Sequence, residues 1–168
     1  MEDFQQIRNN FISQWGVLGS SWGINRTMAQ IHACLMISTQ PLSTQEVMDE
    51  LEISRGNANT NLRDLVEWGL IRTITYKGDR KEYFEAEKDV WKMFCTITKV
   101  RRRKEISPTL ELLRQCKDAK GRSKSDEEKA FFEQVSNLES FVSLADSTMD
   151  KVAKSERNKL MPKVLKLF

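Results

Sequence analysis

Apolar side chains between Phe4 and Trp68 recur at steps of three and four residues. Leu70 to Tyr76 is rich in β-branched residues, Lys81 to Ala86 alternates, and from Val90 the helical spacing returns. Strands and helices need different apolar periods to bury one face. The switch therefore confines this chain to a helical fold interrupted by one β-hairpin. The predicted class is mainly α with a small β-hairpin.

The first helix is predicted over residues 2–21, where Phe4, Ile7, Phe11, Trp15 and Leu18 form one stripe. Gly23 interrupts the pattern. A second helix runs from Arg26 to Ser38, with Met28, Ile31, Cys34 and Leu35 inward, and Pro41 ends it. Ser43 or Thr44 can cap a third, short helix built on Val47, Met48 and Leu51. A tight turn holds Ile53, Ser54 caps a fourth helix, and Gly69 after Trp68 is a C-terminal stop. The strands are read at Leu70–Tyr76 and Lys81–Ala86, joined by the turn Lys77-Gly78-Asp79-Arg80.

Beyond Asp89 the pattern is helical again. Val90, Phe94, Ile97 and Val100 are expected inward, and Pro108 either kinks this helix or opens a new one. Residues 117–126 are polar and read as a loop. Phe131, Val135, Leu138, Val142, Ala145, Met149 and Val152 then step by four and three, a heptad seam widened by Phe132 and Phe141. Leu160, Val164, Leu165, Leu167 and Phe168 offer further packing in a basic tail.

Two helices joined by a tight turn and followed by a hairpin make a winged helix-turn-helix. On the fourth helix, Ala58, Leu62, Leu65 and Val66 share the inward side. Gly56, Asn57, Thr60 and Asp64 share the outward side, with Asn61 and Arg63 at its flanks. Short amide and hydroxyl side chains suit base edges in a major groove, and an Asn that donates and accepts together matches adenine. Gly56 leaves room for backbone to approach a phosphate, and the helix start at Ser54 and Arg55 favours one. Lys77, Arg80 and Lys81 at the hairpin tip can hold a sugar-phosphate backbone or enter a minor groove. The expected DNA-contacting set is therefore Ser54, Arg55, Gly56, Asn57, Thr60, Asn61, Arg63, Lys77, Arg80 and Lys81.

Several stretches carry a family resemblance. They are Trp22-Gly23-Ile24-Asn25-Arg26-Thr27-Met28-Ala29-Gln30-Ile31, Ile53-Ser54-Arg55-Gly56-Asn57-Ala58-Asn59 and Leu62-Arg63-Asp64-Leu65-Val66-Glu67-Trp68-Gly69-Leu70-Ile71. Gly78-Asp79-Arg80-Lys81, Tyr83-Phe84 and Asp89-Val90-Trp91-Lys92-Met93 complete the set. Together they resemble the GbsR-type branch of the MarR family of transcriptional regulators, over roughly residues 15–115. The resemblance implies a homodimer on double-stranded operator DNA, often repressing and sometimes released by a small-molecule effector. By position it also sets Asp79 to orient Arg80. The final heptad helix lies outside it. The long apolar stripes on either side of the winged helix add the expected organisation: an N-terminal dimerisation helix (residues 1–24), a DNA-binding winged helix (25–88) and a C-terminal helical dimerisation region (89–168).

The remaining features point away from other classes. Net charge is only +3, from 27 basic and 24 acidic residues, so the distribution of charge matters more than its sum. The run Arg101 to Lys104 is read as the solvated side of a helix, with DNA contact as the alternative. Cys34, Cys95 and Cys116 match no zinc spacing and are expected reduced, as in a cytoplasmic protein. No stretch approaches the ~20 apolar residues of a membrane span. His32 is the lone histidine and is expected to be partly exposed. No phosphate loop, nucleophile elbow or carboxylate pair appears, so no catalysis, metal or cofactor is expected. Trp15, Trp22, Trp68 and Trp91 read mainly as packing. An aromatic cage for a quaternary ammonium ligand is the alternative, since the resembled branch includes regulators of choline and betaine metabolism. The competing function is a winged helix that binds protein through its last long helix.

Overall fold

A computed structural model of the chain describes residues 3–118 and 125–157. Most of the polar loop after Lys117 and the five apolar tail residues from Leu160 onward lie outside the described residues. Two compact units divide the chain, Met1–Met93 and Phe94–Phe168.

The first unit opens with α1 (Phe4–Ser21) and α2 (Arg26–Ile37). Asp3 and Gln6 make a capping box at the start of α1, and the Asn25 side chain caps α2 through the Met28 N–H. Small residues set how closely the two helices pack. A Cβ on Gly19 would lie 2.4 Å from that of Ala29. Ile12, Gly16 and Gly19 are thus the buried face of α1. Part of the predicted stripe turns outward instead: Phe4 is 75% exposed, Ile7 52% and Leu18 45%. Glycine has no hydropathy signal, so the period pointed to the neighbouring face.

Next come β1 (Leu42–Ser43), α3 (Thr44–Leu51) and α4 (Arg55–Trp68). Ser43 and Glu46 close a capping box on α3, which holds the Glu46 carboxyl below its usual range, first through the Ser43 hydroxyl. Glu52 adopts φ 52 and supplies the left-handed residue of the turn into α4. Gly69 at φ 75 ends α4, where a Cβ would be strained.

The wing is β2 (Ile71–Thr75) and β3 (Glu82–Ala86), antiparallel, with Thr73 opposite Phe84 and Ile71 opposite Ala86. Leu42 pairs with Phe84, so the sheet has three strands in the order β1-β3-β2. The two-residue β1 was not read from the sequence because it is too short to show a period. Ile31, Leu35, Val47, Leu62 and Leu65 fill the core between α2, α3 and α4.

His32 corrects an expectation. It is buried, 6% exposed, and its Nε2 has no hydrogen-bond partner. Burial lowers its pKa from 6.5 to about 4, so it sits in the core as a neutral imidazole. Lys88 follows the wing, and its Nζ donates to the carbonyls of Leu35, Met36 and Ser38 at 2.9, 2.9 and 2.6 Å. That ammonium satisfies the free carbonyl end of α2.

Helix α5 (Val90–Arg101) runs from the first unit into the second. Val90 is 69% exposed and Phe94 48%, against the inward expectation; Cys95, Thr98 and Val100 are the buried positions. The Cys95 thiol donates to the Val152 carbonyl at 3.2 Å, which fixes that face. A π-helical turn, Arg102–Ile106, precedes α6 (Ser107–Asp118). The Ser107 N–H reaches the Arg102 carbonyl, one residue further back than in an α-helix. Pro108 has no N–H and its ring crowds the preceding turn, so a widened turn carries the helix through it.

Helix α7 (Asp126–Lys154) begins with a Ser125–Glu128 capping box and packs on α6 through Val135. The seam is only partly buried: Phe131 is 53% exposed, Leu138 43% and Phe141 70%. Polar clasps join Val135 on the side turned to the π-turn and α6. Arg102 binds Asp146 at 2.8 and 2.9 Å and Asp150 at 2.6 Å, and Glu139 accepts from Lys117 at 3.1 Å. The basic run at 101–104 is thus divided. Arg102 is a clasp within the unit, and Arg101 pairs with Glu105.

Candidate nucleic-acid interface

Helix α4 has two chemically distinct sides. Ala58, Leu62 and Leu65 are at most 1% exposed and tie it to the core. Ser54, Arg55, Gly56, Asn57, Thr60 and Arg63 are exposed. A Cβ built on Gly56 meets nothing within 4 Å, so the first turn presents open backbone.

The exposed groups are held in place. Ser54 Oγ accepts the Asn57 N–H at 3.3 Å as the N-cap. Arg55 Nη2 donates to Gln45 Oε1 at 3.2 Å, and Gln45 Nε2 donates to Asp49 at 2.8 Å. Gln45, in the first turn of α3, was absent from the sequence-based set. A Gln just after an N-cap was the available signal, but nothing in the spacing tied it to Arg55. Arg63 lines the groove between α4 and the sheet, with Thr73 and Glu82.

Asn61 is placed differently from the other nine. It is 4% exposed, and its amide donates to Asn57 O at 2.8 Å and Asn57 Oδ1 at 2.7 Å. The helical wheel placed it at a flank, yet packing against the core encloses that flank.

At the wing, Lys77, Arg80 and Lys81 are exposed around Gly78, whose φ is 88. Asp79 accepts the Lys81 N–H at 2.9 Å and the Tyr83 hydroxyl at 2.8 Å. Those two bonds, the Lys81 N–H foremost, hold its carboxyl below the usual range, and Asp79 in turn raises the Tyr83 pKa. Asp79 therefore pins the turn and Tyr83, where the resemblance implied that it orients the Arg80 side chain. Tyr76 stacks edge-on against Tyr83, centroids 5.1 Å apart. Arg72 and Glu85, opposite in register, form an ion pair across the wing. Two aromatics flanking a turn were the sequence sign of this stiffened hairpin.

Elsewhere, Trp15 meets Trp22 edge-on at 5.7 Å and Phe11 at 5.6 Å. Among the described residues, no group of three or more His, Cys, Asp or Glu side chains is placed to hold a metal, and no helix is long and apolar enough to cross a membrane.

A capped outward helix followed by a basic, stiffened hairpin is a winged helix-turn-helix arrangement. Residues 22–82 match the MarR family. That MarR-like segment runs from Trp22 to the first residue of β3 and so contains α2, α3, α4 and β2. Among curated proteins, the chain is 20% identical over 112 residues to the HTH-type transcriptional repressor GbsR of Bacillus subtilis (strain 168). That alignment spans 67% of this chain and 62% of the relative. YvaV of the same organism is 19% identical over 93 residues, 55% of this chain and 52% of that protein. The matches thus cover less than two thirds of either relative. A crystal structure described as a transcriptional regulator superposes with a TM-score of 0.68 at 18% identity, covering 90% of this chain and 99% of that one. At that identity the likeness establishes the fold, a winged helix with helical extensions.

Proposed function

We propose that the chain is a sequence-specific DNA-binding transcriptional regulator acting as a homodimer. Residues 25–88 bind the operator, and residues 1–24 and 89–168 join the two copies. The observation that carries this reading is α4. Its core side is sealed, while Arg55, Gly56 and Asn57 of the capped first turn and Thr60 of the next are exposed, and the hairpin that follows carries the exposed cations Lys77, Arg80 and Lys81. The helix lies in the major groove, its N-terminal cap near a phosphate, and the wing grips the adjacent backbone. Repression is the direction supported by the relative named as a repressor. In this reading the protein acts in the cytoplasm and works by binding, not by catalysis.

Exposed apolar side chains support dimerisation. On α1, Phe4 and Ile7 line a groove of about 510 Å³ with Phe11 and Ile37. On α7, Phe131, Leu138, Phe141 and Leu144 stand 43–70% exposed. Monomers seldom leave such stripes bare. The same α7 stripe favours the second reading, a winged helix that docks on another protein.

A gel shift with DNA from upstream of the chain's own coding region separates the two. The DNA reading requires a shift that weakens with salt and, in Arg80→Ala, has a shallower salt slope. No shift at micromolar protein favours the protein-docking reading. The resemblance adds a small-molecule effector. Titration with choline or glycine betaine tests for it: heat together with altered DNA affinity supports one, and no heat removes these two.

A further inference from the structure

We infer that Asn57 reads DNA as a hydrogen-bond donor only, and so selects a guanine edge. This rests on the DNA-binding reading and names the base class that reading leaves open.

The argument starts from the backbone. The Asn57 carbonyl oxygen can only accept. The Asn61 amide lies 2.8 Å from it, so Asn61 must turn its nitrogen that way. That same nitrogen is 2.7 Å from the terminal amide of Asn57. A donor there requires an acceptor, so Asn57 gives its oxygen to Asn61. Burial fixes the pair, because Asn61 is 4% exposed and has no freedom to swing outward. The bond thus turns the Asn57 oxygen toward Asn61, along the helix and away from a base edge. The Asn57 NH₂ is the branch left for a ligand, on an exposed residue of the first turn.

The neighbours reinforce this polarity. Arg55 carries donors only, and the Gln45 oxygen beside it already accepts from Arg55. The first turn of α4 therefore offers donors. In the major groove guanine presents two adjacent acceptors, N7 and O6. Adenine pairs an acceptor with a donor, and a two-point contact with it needs the Asn oxygen and NH₂ on one edge, whereas the bond to Asn61 directs the oxygen elsewhere. Cytosine presents a donor, and thymine a single acceptor, O4, beside its methyl group, so neither offers two acceptors to the NH₂. Guanine is the match, and Asn61 is a positioning residue that sets the choice.

Selection from a random duplex pool, with the full chain and two variants, tests this. The wild type should enrich guanine at one position per half-site by about fivefold to tenfold over adenine. Asn57→Asp presents only acceptors and is favourable in a first helical turn, so its folding is not at risk. It should lose guanine at that position, moving to parity or to cytosine, with other positions unchanged. Asn61→Leu frees the Asn57 amide to rotate, so the guanine-to-adenine ratio there should fall to about one. If circular dichroism shows that Asn61→Leu is unfolded, Asn57→Asp decides alone.

The inference is overturned if the position that responds to Asn57→Asp holds any base other than guanine in the wild type. It also fails if duplexes are enriched but no position responds, and DNA binding then still stands. No enrichment by the wild type overturns the DNA-binding reading itself, and this inference with it.

Discussion

Replacing His32 with Leu probes how a neutral imidazole is tolerated in the core of α2. The unfolded chain takes up a proton near 6.5, whereas the folded one resists until about 4. Between those values the unfolded state binds more protons, so stability falls as pH falls. The full difference corresponds to about 3 kcal/mol, of which about 2 kcal/mol is lost between about pH 7.5 and about pH 5. A second cost is present at every pH, because the unpaired Nε2 gives up its water for nothing, at about 1–3 kcal/mol. Leu removes both costs at similar volume. Urea unfolding followed by tryptophan fluorescence should find His32→Leu at least as stable as wild type near pH 7.5. Near pH 5 its advantage should be larger by about 2 kcal/mol. Carboxylates with lowered pKa, such as Glu46 and Asp146, contribute equally to both proteins and cancel in the comparison. An advantage that does not change with pH, or a folded-state imidazole that titrates near 6.5, refutes the reasoning.

Lys88→Met removes three donations to the end of α2 and should cost about 1–2 kcal/mol in urea unfolding, with Lys88→Arg intermediate; an unchanged midpoint contradicts the capping role. Gly69→Ala places a Cβ at φ 75 and should cost about 1 kcal/mol by the same measurement. Asp146 is held in its charged form chiefly by Arg102, so its stabilisation is present above its unfolded pKa and lost as pH falls through the lower folded value. Asp146→Asn should therefore lower the neutral-pH midpoint and flatten the acid limb of the stability curve; a limb that stays as steep contradicts it.

The winged helix was legible because its signals are local. Ser43, Ser54 and Gly69 mark helix ends through chemistry visible in a few residues, and the structure puts caps or stops at all three. The β-branched run 70–76 and the alternating run 81–86 marked the wing. What stayed hidden depends on tertiary partners. Ile7 and Ile12 look alike in sequence, but only Ile12 is buried against α2, because Gly16 and Gly19 draw that helix close on their own side. The same holds for His32 and Asn61, whose burial comes from neighbouring elements. At the candidate interface the residue types and their helix face were readable. The Asn57–Asn61 and Arg55–Gln45 bonds that aim them were not, since one amide can point either way until its neighbours are known.

The account rests on α4 reading base edges. Fluorescence anisotropy on a selected operator duplex and on a random duplex, for wild type, Asn57→Ala and Thr60→Ala, tests that most directly. The expected result is a larger loss for the operator than for random DNA in both variants, on the order of tenfold or less per contact. An equal loss for both duplexes would contradict base reading by α4.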